Sequence, residues 1–281
     1  MYPAGEVDIT ARHVRVGDCS IRVIESGPSG GRPILLVHGW GGCVYTYAEM
    51  IPALAGAGYR VAAFDLPGHG LSDKPSDEGR YTTRALSDVL LGVASAIGMD
   101  RFTFVGHSMG GSLGLHLAAE GDTHITRLVL VNSIGIGRVP LRALVKLLSP
   151  RILDRITPAL LTRTVIHAIL RAAFGTFARP TDRDIDEYWA PSQYDGLAWA
   201  CRACIHKTTW RQLSATQLRS LRLPTLVITG RRDLLVRRGS PRARLIPGAR
   251  LVTVPDGGHL VLQECAEKTN AQILAFLRET R

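Results

Sequence analysis

Long hydrophobic runs are missing from this 281-residue chain. No stretch reaches the roughly 18 consecutive apolar residues that a membrane-spanning helix needs. The first ten residues carry Glu6 and Asp8, where a secretory leader would place basic and then apolar residues. The expected compartment is the cytoplasm. Cysteine is sparse and odd in number: Cys19, Cys43, Cys201, Cys204 and Cys265 are scattered, which argues against a disulfide framework. Cys201 and Cys204, with His206 nearby, could supply half a zinc site, but no second Cys/His pair at ligand spacing completes it. Buried helix cysteines are the simpler reading, and no metal or other cofactor is expected. Acidic residues are also short, with 24 Asp+Glu against 34 Lys+Arg and a formal net charge of +10. The imbalance is local, since 14 of the basic but only 6 of the acidic residues lie between positions 134 and 222. That basic segment lacks interleaved aromatics or a known binding motif, so nucleic acid is not the expected partner.

What is present is enough apolar content, 46% of residues, for one large core. Short aliphatic and β-branched runs ending in polar or Gly-rich turns recur at residues 34–38, 60–65, 102–106, 128–132, 225–230 and 250–255, and helical patterns alternate with them through the first half. This rhythm predicts βαβ units, hence an α/β fold with a mostly parallel central sheet flanked by helices. Residues 7–26 alternate apolar and polar around Gly17-Asp18, which predicts an antiparallel hairpin at the entry to the sheet. Residues 134–223 break the rhythm. Their apolar residues fall at helical spacing (Leu141, Leu144, Val145, Leu148, then Ile166, Ile169, Leu170), and Pro140, Pro150, Pro158, Pro180 and Pro191 sit where helices would start or stop. An all-helical insertion is expected there.

Residues 102–111 read Phe-Thr-Phe-Val-Gly-His-Ser-Met-Gly-Gly, a strand running directly into Gly-x-Ser-x-Gly and then a helical pattern. Small residues on both sides permit a sharp turn that exposes the Ser108 hydroxyl, with a helix N-terminus facing developing negative charge. A serine hydroxyl needs a base to take its proton, and the base needs a buried acid to hold one tautomer. Asp233 follows the strand at 225–230, and His259 follows the strand at 250–255 across Asp256-Gly257-Gly258. The order Ser, Asp, His suits an elbow-type hydrolase; the structural alternatives are a turn residue at Asp233 and a helix cap at His259. Oxyanion donors are expected at the backbone N–H of Met109 and of Trp40, the latter in the loop His38-Gly39-Trp40-Gly41-Gly42, which could otherwise be a tight turn with Trp40 in the core. His107 and His38 are candidate substrate-binding residues. Asp65 and His69 are assigned to the turn after their strand, and Asn132, being neutral, cannot replace the acid.

With these residues in place the sequence resembles the α/β-hydrolase superfamily, in its serine esterase and lipase-like branch with a helical cap. Phe64-Asp65-Leu66-Pro67-Gly68-His69-Gly70-Leu71-Ser72-Asp73 is similar to that family's strand-and-turn segment. The resemblance implies a hydrolase core at residues 1–133 and 224–281, a cap or lid at 134–223, and an oxyanion loop at His38 to Gly41. Relatives that open epoxides or remove halides carry Asp at the elbow, where this chain has Ser108; cofactor-free haloperoxidases typically have Pro where Gly41 stands. The expected activity is therefore hydrolysis of a carboxylic ester through an acyl-enzyme. Its rivals are thioester, lactone, amide or carbon–carbon bond hydrolysis, and a non-catalytic small-molecule receptor or scaffold.

Arg138, Arg142 and Lys146 are spaced by four, on one ridge of a helix whose Leu141, Leu144, Val145 and Leu148 occupy another face. A solvated ridge over a core-facing stripe is the plain reading. The partners such a ridge would fit are an anionic lipid surface and an acidic acyl carrier protein. The latter draws on a resemblance to pimeloyl-carrier-protein methyl ester esterases, confined to His38 to Gly41 and the basic cap.

Overall fold

The computed structural model describes residues 2, 9–147, 149–155, 157–175, 179–237 and 239–280. Glu6, Val7, Asp8 and Leu148, which figure in the sequence reading, lie outside these residues. Eight strands form one sheet: β1 (Ile9–Val16), β2 (Cys19–Ser26), β3 (Pro33–Val37), β4 (Arg60–Phe64), β5 (Phe102–His107), β6 (Ile125–Val131), β7 (Thr225–Gly230) and β8 (Arg250–Val254). Their order is β1-β2-β4-β3-β5-β6-β7-β8. The hairpin β1/β2 enters antiparallel and β2 pairs antiparallel with β4; every later pairing is parallel. The chain passes from β3 to β4 on one side and then to β5 on the other. The crevice above the ends of β3 and β5 is thus a topological switch point, where ligands meet open parallel sheets.

Alternation along the strands explains why both sheet faces are covered. In β3, Leu35 and Val37 point into a core shared with Leu86, Leu90 and Val93 of α2 (after α1, Met50–Gly56, comes α2, Thr83–Ala96) and Leu113 of α3 (Met109–Ala119). Ile34 and Leu36 point the other way, toward Met50, Ile51 and Leu54 of α1. Strands buried on both faces need the continuous aliphatic runs seen in the sequence.

Between β6 and β7 lie α4 (Arg142–Leu147), α5 (Thr157–Leu160), α6 (Arg163–Ala173), α7 (Asp182–Ser192), α8 (Leu197–Lys207) and α9 (Ala215–Ser220). No strand interrupts them among the described residues, apart from isolated bridges Ile134–Gly137 and Arg138–Arg237. After β7 come α10 (Gly239–Ala243), α11 (Val261–Glu264) and α12 (Ala266–Glu279), and Ile273 and Phe276 of α12 complete the core on the α1 face. The expectation of a core-facing stripe on α4 is corrected: α4 buries none of its residues, and Leu141 and Leu144 are each half exposed. The helix rests on α8 without burying any side chain there, so its aliphatic side chains stay at the surface.

Candidate active site

β5 ends at His107, and Ser108 turns directly into α3 with φ 52 and ψ −115. Ser108 and Asn132 are the non-glycine residues of positive φ among those described, and they follow the adjacent strands β5 and β6. Such strain persists where the surroundings over-determine it, as at functional sites. Close packing leaves the elbow no alternative: a Cβ at Gly110 would fall 2.1 Å from the Val37 carbonyl oxygen. The loop after β3 approaches equally closely, since a Cβ at Gly39 would stand 2.8 Å from Ser108 Cβ. This brings the loop that carries Trp40, the next residue, up to the turn at Ser108, which Met109 follows as the first residue of α3. Trp40 is not in the core. Its ring is 41% exposed, and its indole N–H donates to the Cys201 carbonyl of α8 at 2.8 Å.

Ser108 Oγ lies 3.1 Å from His259 Nε2, and His259 Nδ1 lies 2.9 Å from Asp233 Oδ2. A carboxylate only accepts, so Nδ1 carries the proton and Nε2 of the neutral ring is free to accept from the serine. The other Asp233 oxygen accepts from the Leu235 and Val236 N–H groups at 2.8 and 2.9 Å, which fixes the carboxylate at the end of β7. All three side chains are buried, so their mutual hydrogen bonds are not diluted by water. The structure thus brings together the serine, acid and base expected from sequence.

Two other expectations are corrected. His38 offers no free ring nitrogen to a ligand, and His107 has its Nε2 engaged by backbone. His38 is fully buried; its Nδ1–H donates to the Gly39 carbonyl at 2.7 Å and its Nε2 accepts from the Leu66 N–H at 2.9 Å, joining the loops after β3 and β4. Burial lowers its pKa to about 4. His107 is also buried and donates through Nε2–H to the His259 carbonyl at 2.8 Å; burial first, and then the neighbouring His259, lower its pKa to about 3. Both imidazoles are neutral struts. Asp65 serves its turn, accepting from the Val44 and Leu71 N–H groups at 2.7 and 2.9 Å, and His69 donates to the Pro67 carbonyl at 3.1 Å. Cys201 and Cys204 are buried on α8.

The His259 loop is held by Asn132 and Glu264, to neither of which the sequence reading gave a role at the site. Asn132, dismissed there as an acid, donates through Nδ2 to the Gly258 and His259 carbonyls, both at 2.9 Å, while its Oδ1 accepts from the Gly230 N–H at 2.8 Å. It ties the ends of β6 and β7 to the loop that carries His259. Glu264 accepts from the N–H groups of Gly258 at 3.0 Å and of Gly175, just beyond α6. Burial pushes its carboxyl pKa up, and the two donors pull the other way. His259 itself donates its backbone N–H to the Ala173 carbonyl of α6 at 2.7 Å. An asparagine immediately after a parallel strand, where positive φ is tolerated, was the signal available for Asn132.

Comparison with known proteins now bears on this geometry. The model of the alpha/beta hydrolase fold family matches residues 32–264. The chain belongs to this family. Among relatives of the hydrolase, the dihydrolipoyllysine-residue acetyltransferase component of the acetoin cleaving system of Pseudomonas putida is 32% identical over 266 residues, covering 94% of this chain and 68% of that protein. The magnesium-chelatase 30 kDa subunit of Rhodobacter capsulatus is 29% identical over 279 residues, covering 94% of this chain and 93% of that protein. Among solved structures, a serine hydrolase involved in carbazole degradation (CarC enzyme) superposes with a TM-score of 0.80 at 25% identity, covering 96% of this chain and 99% of that one.

Proposed function

We propose that this alpha/beta hydrolase is a serine hydrolase that cleaves a carboxylic ester through an acyl-enzyme. The observation that carries the reading is the continuous relay from Ser108 Oγ to His259 Nε2 at 3.1 Å and from His259 Nδ1 to Asp233 at 2.9 Å. His259 removes the hydroxyl proton as Ser108 attacks the ester carbonyl, Asp233 stabilises the imidazolium, and the Met109 and Trp40 backbone N–H groups hold the oxyanion. The proton then passes from His259 to the departing alcohol. Water, deprotonated by the same imidazole, releases the acid and restores Ser108. Residues 134–223 serve as a cap over this site. The support for that role is the pair of contacts made by α6 to the His259 backbone and by α8 to the Trp40 indole.

A fluorophosphonate probe tests the nucleophile, and p-nitrophenyl esters of increasing acyl length test the reaction. Labelling of one serine that disappears in Ser108→Ala, with turnover that falls sharply above some chain length, is the expected result. Thioester and lactone analogues in the same assay assign the bond. A folded protein that neither labels nor turns over any of these would sink the reading.

A further inference from the structure

Six large aliphatic side chains stand in solvent within one short stretch: Leu141, Leu144, Val145, Leu147, Ile152 and Leu160, with Leu147 at 75% and Ile152 at 80% exposure. They belong to α4, the 3-10 turn at Arg151–Arg155, α5 and the chain just before α4. These three elements share a neighbour, because each rests on α8, so they form one outer layer over it. Residues 138–160 also carry Arg138, Arg142, Lys146, Arg151 and Arg155 against a single acid, Asp154. Asp154 is already taken by the buried Arg202 at 2.9 Å, and Arg151 by Glu78 at 2.8 Å. No ion pair holds Arg138, Arg142 or Lys146 among the described residues. The layer borders the site on one side, since Arg138 exchanges backbone hydrogen bonds with Arg237 at 2.7 and 2.8 Å, in the loop that begins at Asp233 and exposes Leu234.

We infer that the outer surface formed by α4, the chain from Arg138 that leads into it, the 3-10 turn at Arg151–Arg155 and α5 docks on a lipid bilayer carrying anionic headgroups. Exposed aliphatic side chains gain by entering the acyl boundary, and cations beside them gain from the headgroups, so the two features reinforce each other only at such an interface. A second copy of the chain fits poorly, because a two-fold contact would set these cations against their own images. A protein partner is also the weaker match. Interface cores favour aromatic residues and methionine, and none of the six exposed side chains is either. The inference concerns a surface outside the catalytic relay and does not depend on the bond that is cleaved.

Flotation of the full chain with phosphatidylcholine vesicles, with and without phosphatidylglycerol, tests it. Binding should require phosphatidylglycerol and weaken as salt is raised. Each cation in the headgroup layer strengthens binding about fivefold, so R138E/R142E/K146E should weaken it by at least about 100-fold. L144S/L147S/I152S should weaken it by about tenfold or more, through lost apolar insertion. Circular dichroism of both variants should match wild type, since Leu144, Leu147 and Ile152 are half or more exposed; because the Arg142 Nε is buried, R138E/K146E is measured beside the triple variant and should weaken binding by at least about 25-fold. Equal binding to neutral and anionic vesicles, or variants that float as wild type does, would overturn the proposal. So would absent vesicle binding accompanied by self-association, or by capture of an acidic carrier protein, that either variant abolishes.

Discussion

In the proposed mechanism Ser108 attacks only while His259 is neutral, oriented and ready to accept, so removing different members of the relay has different consequences. Ser108→Ala or His259→Ala is expected to lower turnover by about 10⁶ without unfolding the chain. Asp233→Asn is expected to cost about 10⁴, because the amide can donate to Nδ1 and so favours the tautomer with the proton on Nε2. Steady-state rates with matched thermal melts check both, and an Asp233→Asn enzyme as active as wild type would assign the acid elsewhere. The oxyanion loop gives a second prediction: Trp40→Ala keeps the backbone donor and loses the indole bond to Cys201, whereas Trp40→Pro deletes the donor. The proline variant should be slower than the alanine variant by roughly a further 10² to 10³ in turnover. Equal rates would point to another donor. That Ser108, Asp233 and His259 would meet was legible in the sequence because each follows a strand run, in the order the proposed chemistry uses. The backbone engagement of His38 and of His107 Nε2 was not legible, because a motif shows that a histidine is near the proposed nucleophile, not which of its nitrogens backbone already holds.

At the scale of elements, the base sits on a loop pinned from two directions, by Asn132 from the sheet and by Glu264 toward α6. Glu264→Ala removes the acceptor of the Gly258 and Gly175 N–H groups, and leaving buried donors unsatisfied costs about 1 to 3 kcal/mol. If Glu264 also positions His259, kcat should fall by about tenfold or more while KM changes little, because a misplaced base affects the transition state more than binding. Glu264→Gln keeps a carbonyl acceptor and should recover most of kcat. Loss of stability with kcat unchanged would reduce Glu264 to a structural tie. Neither pinning residue stood out in sequence, since their partners are backbone atoms of segments far away along the chain. Strands, by contrast, were legible to within a few residues at their ends, because double burial demands unbroken aliphatic runs. The stripe on α4 misled for the opposite reason: its periodicity is genuine, but periodicity does not reveal whether anything packs against it.

For the molecule as a whole, three enclosed imidazoles dominate the expected response to mild acid. Burial lowers His38 to about 4, and His69 and His107 each to about 3, from the ordinary value of 6.5. The unfolded chain therefore takes up protons below about pH 6.5 that the folded chain refuses, and stability falls as pH falls through the window from 6.5 toward those lowered values. Each histidine contributes a slope of up to about 1.4 kcal/mol per pH unit where the unfolded chain is fully protonated and the folded chain is not. Asp65 and Glu264 act with the opposite sign. Burial raises their carboxyls, so the folded chain binds those protons first and gains stability as pH approaches the carboxylate range. The histidine effect should consequently be clearest just below neutrality, before the carboxyls respond. Urea midpoints are expected to drop between about pH 7.5 and about pH 5.5, and His69→Gln, which can still donate to the Pro67 carbonyl, should flatten that slope by about a third. Comparing slopes separates titration from any general loss of stability in the variant. A midpoint that stays level or rises over this interval would mean that the three rings are solvated or charged in the folded protein, and the backbone hydrogen bonds of His38, His69 and His107 would have to be reassigned.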